Sequence, residues 1–359
     1  MAHVPDDIIC KNDVFDIDFH PHQNIIGVAC ITGAVQVYVL SYAQHEVIIH
    51  LNSVRYAPTE NQDLLHLEYH QDACRAIKFD SSGQALLSAS SDRSIRAFDT
   101  NGSAIWAELR AHDAPINRLE EVSNNVFASG DDAGCIKLWD MRQHRQIVEW
   151  KEHTDYISDF ACNDAQDHIL ATSGDGRLSV YDLRKHKVAG KSDELEDELL
   201  SVCIIKSGRK VVCGSQDGVL VIFSWDTWGD MSDRFPGHPD SVETMLKIDD
   251  DTILTGSCDG IIRIVQIFPN KLLGLLGDHE DFPVEVIKFS PDKRLLGSVS
   301  HVNKVHFWDT AFLFEDDPVN EDAGESMSDD DVSETTAQPE ALHNRQEMKN
   351  ANEVFFSDL

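Results

Sequence analysis

The chain has 359 residues, 42% of them hydrophobic, and a formal net charge of −33 at pH 7. A field of that sign repels phosphate backbones and anionic membranes, so direct nucleic-acid binding and membrane attachment are not expected. No apolar run reaches the ~18–20 residues that a membrane helix needs, and the start, Met1 to Asp6, lacks the basic and apolar regions of a secretory signal. The reading is a soluble intracellular protein.

From Val14 onward a unit recurs. It holds a histidine, an apolar strand, a polar turn, a small-residue strand, an Asp-Gly or its equivalent, and an apolar strand ending in an aromatic. The opening histidines His70, His112, His153, His238 and His279 are separated by 42, 41, 85 and 41 residues, and 85 is two periods with one histidine lost between. Seven third strands follow, ending at Tyr38, Phe98, Trp139, Tyr181, Phe223, Val265 and Trp308. The units span approximately 14–41, 70–100, 112–142, 153–184, 197–225, 238–267 and 279–310. A period near 42 with short strands is the signature of an all-β, WD-type propeller, here with seven blades.

One blade cannot bury both of its apolar faces alone, so the ring must close. The third strand of the last unit, near Lys304 to Thr310, would otherwise be an open edge. The segment around Asp7-Ile8-Ile9-Cys10 is expected to cover it as the outer strand of blade seven. The domain reading is therefore a propeller over 1–314 and an acidic disordered tail over 315–359. Fourteen acidic and two basic residues from Glu315 onward give the tail −12 and leave −21 on the body.

His153, Ser173 and Asp175, or His238, Ser257 and Asp259, could each be read as a hydrolytic triad. Their repetition at blade spacing argues for one buried hydrogen-bond network per blade instead, with the histidine donating toward the turn aspartate and a Ser or Thr bridging. His70 with Asp92 fits the same scheme, and Asp217 is the turn aspartate of the blade whose histidine is missing. His112 and His279 are expected to be partial sets, because their turns carry Ala133 and Val302. Gly214 to Gly218 lies between two strands, so no helix N-terminus is available for phosphate. No metal ligand spacing falls within one element, and the eight cysteines are scattered singly. No catalytic residue, metal or cofactor is expected.

Binding features remain. Trp139-Asp140-Met141-Arg142 and Tyr181-Asp182-Leu183-Arg184 end consecutive third strands, and Arg can make bidentate contacts that Lys cannot. Near blade five, Trp225, Trp228 and Met231 read as edge-packing aromatics on a solvated loop or, with the run Asp193-Glu194-Leu195-Glu196-Asp197-Glu198, as an acidic-rimmed hot spot for a basic peptide. In the tail, Ser326 and Ser328 precede Asp329-Asp330-Asp331, a context suited to an acid-directed kinase that would add ~1.5–2 negative charges per site.

The His, Ser/Thr, Asp and Trp pattern over 14–310 resembles the WD-repeat superfamily. Within it, Ala73-Cys74-Arg75-Ala76, Ala111 to Asn117, Gly130 to Gly134, Ser232-Asp233-Arg234-Phe235 and Ile267-Phe268-Pro269-Asn270 resemble the WD-repeat-containing protein 55 family. That resemblance implies a nucleolar scaffold for ribosome biogenesis, binding basic pre-ribosomal or chromatin factors. The paired aromatic-Asp-x-Arg motifs resemble those of propellers that dock the adaptor of cullin-type ubiquitin ligases. A monomeric propeller within a larger complex, in the nucleus and nucleolus with the cytoplasm as an alternative, is the resulting expectation.

Overall fold

The computed structural model describes residues 4–41, 49–51, 54–56, 60–280, 282–300 and 302–314. The tail and its Ser326 and Ser328 lie outside the described residues. Seven four-stranded antiparallel sheets, with a two-stranded hairpin of Ile49–Leu51 and Val54–Tyr56, make up the body up to Leu313. Their inner strands, Val14–Phe19, Cys74–Phe79, Ile116–Ser123, Ile157–Cys162, Leu199–Ile205, Val242–Lys247 and Val286–Phe289, each pack on the next, and the last packs on the first. This is a closed seven-bladed propeller. The repeats read from sequence correspond to the three inner strands of each blade. The outer strand lies between consecutive units, as Ala104–Glu108 does in blade two.

Closure takes the expected form. Ile8 pairs with Val305 and Ile9 with Lys304, so the N-terminal segment is the fourth strand of blade seven. Asp7 then reaches across to Lys304 at 2.7 Å, and Ile8, 3% exposed, enters the apolar layer between blades seven and one. Equivalent layers lie between consecutive blades from one to six, built from strand residues that alternate toward one neighbour and then the other. Each fully buried Leu, Ile or Phe in them contributes about 1.5–3 kcal/mol.

Around the central axis, inner-strand side chains clasp the next blade's backbone. Asp16 accepts the N–H of Ile77 at 2.9 Å and Asp18 that of Phe79 at 2.7 Å. Asp159 accepts the N–H of Val202 at 3.0 Å, and Ser201 donates to the carbonyl of Val242 at 2.8 Å. Such bonds satisfy edge groups that the four-stranded sheets leave unpaired.

On the opposite side of each sheet stack, the turn between second and third strands sits on the entry loop of the following blade. Gly218 has φ +78°, and a Cβ there would lie 2.5 Å from the carbonyl oxygen of His238 and 2.7 Å from that of Asp240. Backbone atoms cannot swing away, and a left-handed alanine is itself unfavourable. Gly218→Ala is expected to destabilise the propeller by about 2–3 kcal/mol. Chemical denaturation of the two proteins side by side checks this, and equal midpoints would refute it.

Candidate protein-docking surfaces

The turns leaving the third strands of blades three and four share one geometry. Asp140 Oδ1 accepts the N–H groups of Arg142 and Gln143 at 2.9 and 3.2 Å. Asp182 Oδ1 accepts those of Arg184 and Lys185 at 3.0 and 2.8 Å. Both turns then pass through a left-handed histidine, His144 at φ +52° and His186 at φ +54°. Histidine tolerates that region better than branched residues do. Hydrogen bonds from Arg142 and its own backbone outweigh the burial of Asp140 and hold that carboxyl low. Asp182, bonded chiefly by Lys185, is drawn down to about 2.

The aromatic heads are not part of this surface. Trp139 is 4% exposed and donates its indole N–H to Ser129 at 2.8 Å. Tyr181 is fully buried against Trp150, 4.5 Å between ring centroids. Only the arginines are open, their side chains 66% exposed in Arg142 and 76% in Arg184. The six-residue motif pair is therefore two cationic points held by buried frames.

Blade five bears out the edge-packing reading of its tryptophans and corrects the hot-spot alternative. Trp225 and Trp228 follow its third strand and Asp193 to Glu198 precede its first, and the loop that carries the tryptophans meets the start of the acidic run, where the Asp193 N–H donates to the Gly229 carbonyl at 2.9 Å. Trp228 is also 8% exposed, filling the gap above Gly190 of blade four, where a Cβ would lie 2.1 Å from the indole. Trp225 stacks edge-on against it at 5.0 Å and against His168 at 5.7 Å. Both tryptophans bind blade four to blade five and form no open hot spot. Beyond Asp193 the acidic run, Glu194 to Glu198, lines a cleft of about 330 Å³ with Thr154, Asp155 and Gly174 to Gly176. There Glu198 accepts the Tyr156 hydroxyl at 2.7 Å and Glu194 pairs with Arg177 at 2.8 Å.

The repeated histidines are buried and hydrogen-bonded within their blades, but several partners differ from those expected. In blade two, His70 Nδ1 lies 3.3 Å from Asp92 and 3.0 Å from Ser94, with Nε2 at 2.8 Å from Ser88. In blade three the set is complete, not partial. Asp131, two positions ahead of Ala133, takes His112 Nδ1–H at 2.8 Å, and Ser129 meets Nε2 at 2.6 Å. In blade four Asp175 is the partner of His153 as expected, at 3.0 Å, yet the bridging hydroxyl belongs to Ser179 at 2.6 Å. Ser173 instead donates to the carbonyl of Asp155.

Blade six departs further. Arg263 grips Asp259 with both guanidinium nitrogens, at 2.9 and 2.5 Å, so His238 keeps only Thr255 at 2.8 Å and its Nδ1 has no partner. Ser257 donates to the carbonyl of Asp240. His279 holds Ser298 at 2.7 Å, where Trp308 also donates, and its Nδ1 is likewise orphaned, in keeping with a partial set. Asp217 is exposed and joins its blade only through its own N–H to Asp197. Ser173 and Ser257 lie two residues beyond the second-strand position that bridges in blades three and six, at Ser129 and Thr255, and residues two apart face the same side of the strand. Arg263 carried no signal, being an ordinary cation in an apolar run.

His112, Asp131 and Cys135 also bring three potential metal ligands within 4.8 Å of one another. The first two already share a hydrogen bond, and burial pushes the Cys135 thiol up to about 12, away from the thiolate a metal requires. This trio fits the blade-three network and not a metal centre. All eight cysteines are free thiols, six buried and two, Cys162 and Cys258, half-buried. Among the described residues no helix is long and apolar enough to cross a membrane.

Known proteins are similar to this chain along most of its length. A family model described as WDR55 matches residues 5–313. The Arabidopsis thaliana WD repeat-containing protein 55 is 39% identical over 320 residues, covering 89% of this chain and 86% of the relative. Its Homo sapiens counterpart is 34% identical over 314 residues, covering 87% and 78%. The Coprinopsis cinerea WD repeat-containing protein JIP5 is 36% identical over 322 residues, covering 87% and 75%. With a seven-bladed ring, a matched family model and relatives above 30% identity over most of their length, this chain belongs to the WDR55 family of WD-repeat propellers.

Proposed function

We propose that the chain is a non-catalytic scaffold that gathers basic factors during nucleolar ribosome production, working in the nucleus and nucleolus. Its carrying observation is the acidic cleft between blades four and five. Chemistry-bearing side chains are spent inside blades, while the cleft between blades four and five offers Asp155 and the Glu194–Glu198 run to solvent. A basic peptide segment complements that rim, and the overall charge steers it there. Depletion of the protein, followed by measurement of ribosomal-RNA precursors, tests the reading. Accumulated precursors rescued by wild type but not by Glu196→Lys support it, and unchanged precursors overturn it.

A second role is favoured by the matched geometry of the Arg142 and Arg184 turns, which suits docking of a ubiquitin-ligase adaptor. Interfacial arginines at hot spots are each worth about 2 kcal/mol or more. Arg142→Ala/Arg184→Ala is therefore expected to weaken adaptor recovery at least tenfold, with melting little changed, because the pairs Arg142–Asp140 and Arg184–Asp167 are long, at 3.5 and 3.6 Å, and both arginines are solvated. Retention of pre-ribosomal factors by the same variant would separate the two surfaces. If neither wild type nor variant recovers the adaptor, the second role fails.

A further inference from the structure

Seven of the chain's thirty Lys and Arg residues fall in two short segments, 141–151 and 183–192, which together hold a single acid, Glu149. In a chain of net charge −33 this is a local reversal of sign. The segments are the turns and outer strands of blades three and four. Glu149 is taken by Lys151 at 2.6 Å. Asp140 and Asp182, just ahead of the segments, are 6% and 9% exposed and turned inward as caps.

Both turns place their cations alike. Arg142-Gln143-His144-Arg145 and Arg184-Lys185-His186-Lys187 put an arginine first, a left-handed histidine third and a cation fourth. That fourth residue opens the outer strand opposite the capping aspartate, Arg145 across from Asp140 and Lys187 across from Asp182. Trp150, the last residue of blade three's outer strand, donates its indole N–H to the His186 carbonyl at 3.3 Å and ties the two surfaces together. Arg142, Arg184 and Lys185 each have a carboxylate nearby in their own blade. Arg145 and Lys187 are exposed and, among the described residues, make no ion pair.

Uncommitted cations at matched positions attract an anion, and the width of the surface selects its kind. In blade two the corresponding turn and outer strand, 100–108, hold Glu108 and no cation. Blade five's turn, 225–232, holds Asp226 and Asp230, both exposed, and no cation. A phosphate backbone, charged at every nucleotide, would run from the two turns onto those carboxylates. A short acidic peptide ends within them.

We propose that the turns of blades three and four form a cationic island that holds a short acidic segment of a partner protein, with Arg145 and Lys187 as its open contacts and Arg142, Arg184 and Lys185 beside them. The proposal stands on the charge of the surface, whether or not the ligase adaptor supplies that segment. Its sign is opposite to that of the cleft at Glu194 to Glu198, so the two surfaces select partners of opposite charge.

The test is fluorescence anisotropy of the full chain with a labelled peptide of about ten residues, Glu alternating with Ser, which extends to about 33 Å. Wild type is expected to bind it, more weakly as added salt shortens the screening length, and not to bind the same peptide with Gln for Glu. Arg145→Glu/Lys187→Glu should weaken binding at least tenfold, and Arg145→Gln/Lys187→Gln about threefold. Arg209→Glu/Lys271→Glu makes the same change in net charge at exposed positions of blades five and six, and should leave binding within about twofold of wild type. Circular dichroism and melting of each variant should match wild type, because all four side chains are solvated.

A wild type that ignores the acidic peptide overturns the proposal, as does binding indifferent to Arg145→Glu/Lys187→Glu. So does an equal loss in Arg209→Glu/Lys271→Glu, or an oligouridylate of matching length that binds more tightly than the peptide. Adaptor recovery by Arg142→Ala/Arg184→Ala is a separate readout, so failure of the peptide leaves the second role to its own test.

Discussion

Asp131→Ala is expected to cost the propeller about 3–5 kcal/mol, whereas Asp217→Ala should change stability by no more than about 0.5 kcal/mol. The contrast follows from what each carboxylate holds. Asp131 is 1% exposed and accepts three donors: His112 Nδ1–H at 2.8 Å, and the N–H groups of Cys135 and Ala133 at 2.8 and 3.0 Å. Burial alone would raise its pKa, and those bonds, that from His112 foremost, reverse the effect and hold it ionised. Donor logic fixes the rest of the chain. Trp139 can only donate to Ser129, so the Ser129 hydroxyl donates to His112 Nε2, and the histidine's own proton sits on Nδ1 facing Asp131.

Alanine would orphan three buried donors at once, each a desolvation cost with no return. Asp131→Asn keeps one oxygen and should cost less than alanine. Urea denaturation of the three variants decides. An Asp131→Ala protein as stable as Asp217→Ala would mean that the network contributes nothing.

Much of this arrangement is legible in the chain. The histidine period counts the blades, and the small two-residue closing strand follows from asking what covers the edge at Lys304–Asp309. The bridging hydroxyls are less legible, because residues i and i+2 of a strand face the same side and a serine occupies both kinds of position. Blade four shows the compensation that hides the pattern. Ala171 stands where blade three has Ser129, the hydroxyl moves to Ser179 on the third strand, and the aromatic shortens from Trp to Tyr181, whose OH bonds Ser179 at 3.0 Å. The seat of Trp228 is hard to read for a different reason. Its burial depends on Gly190 in the preceding blade, and the absence of a side chain there leaves no local mark beside the tryptophan.

The pH dependence of stability should carry two opposed contributions that single substitutions separate. His238 and His279 are 9% and 4% exposed, and burial, reinforced by Arg263 for the first and by His306 and Lys304 for the second, pushes each pKa down to about 4. Asp259 and Asp7 act weakly the other way. Unfolded, both histidines titrate near 6.5, so between pH 6.5 and 4 the unfolded chain binds more protons. Their contribution is therefore fully present above 6.5 and lost as pH falls, by about 3 kcal/mol each.

Asp16 runs in reverse. Burial raises its pKa to about 6, with Lys288 and Arg118 opposing and Asp18 adding to the rise. Its contribution is fully present below 3.8 and lost as pH rises through 6, again by about 3 kcal/mol. His279→Gln should flatten the loss of stability between pH 6.5 and 4, and Asp16→Asn should steepen it. Urea midpoints at several pH values for wild type and both variants measure the slopes. Parallel curves for all three would place neither group in the environment described. Opposite changes would show that the acid sensitivity of the ring comes from its orphaned blade-six and blade-seven histidines, and that the clasp at the axis partly masks it.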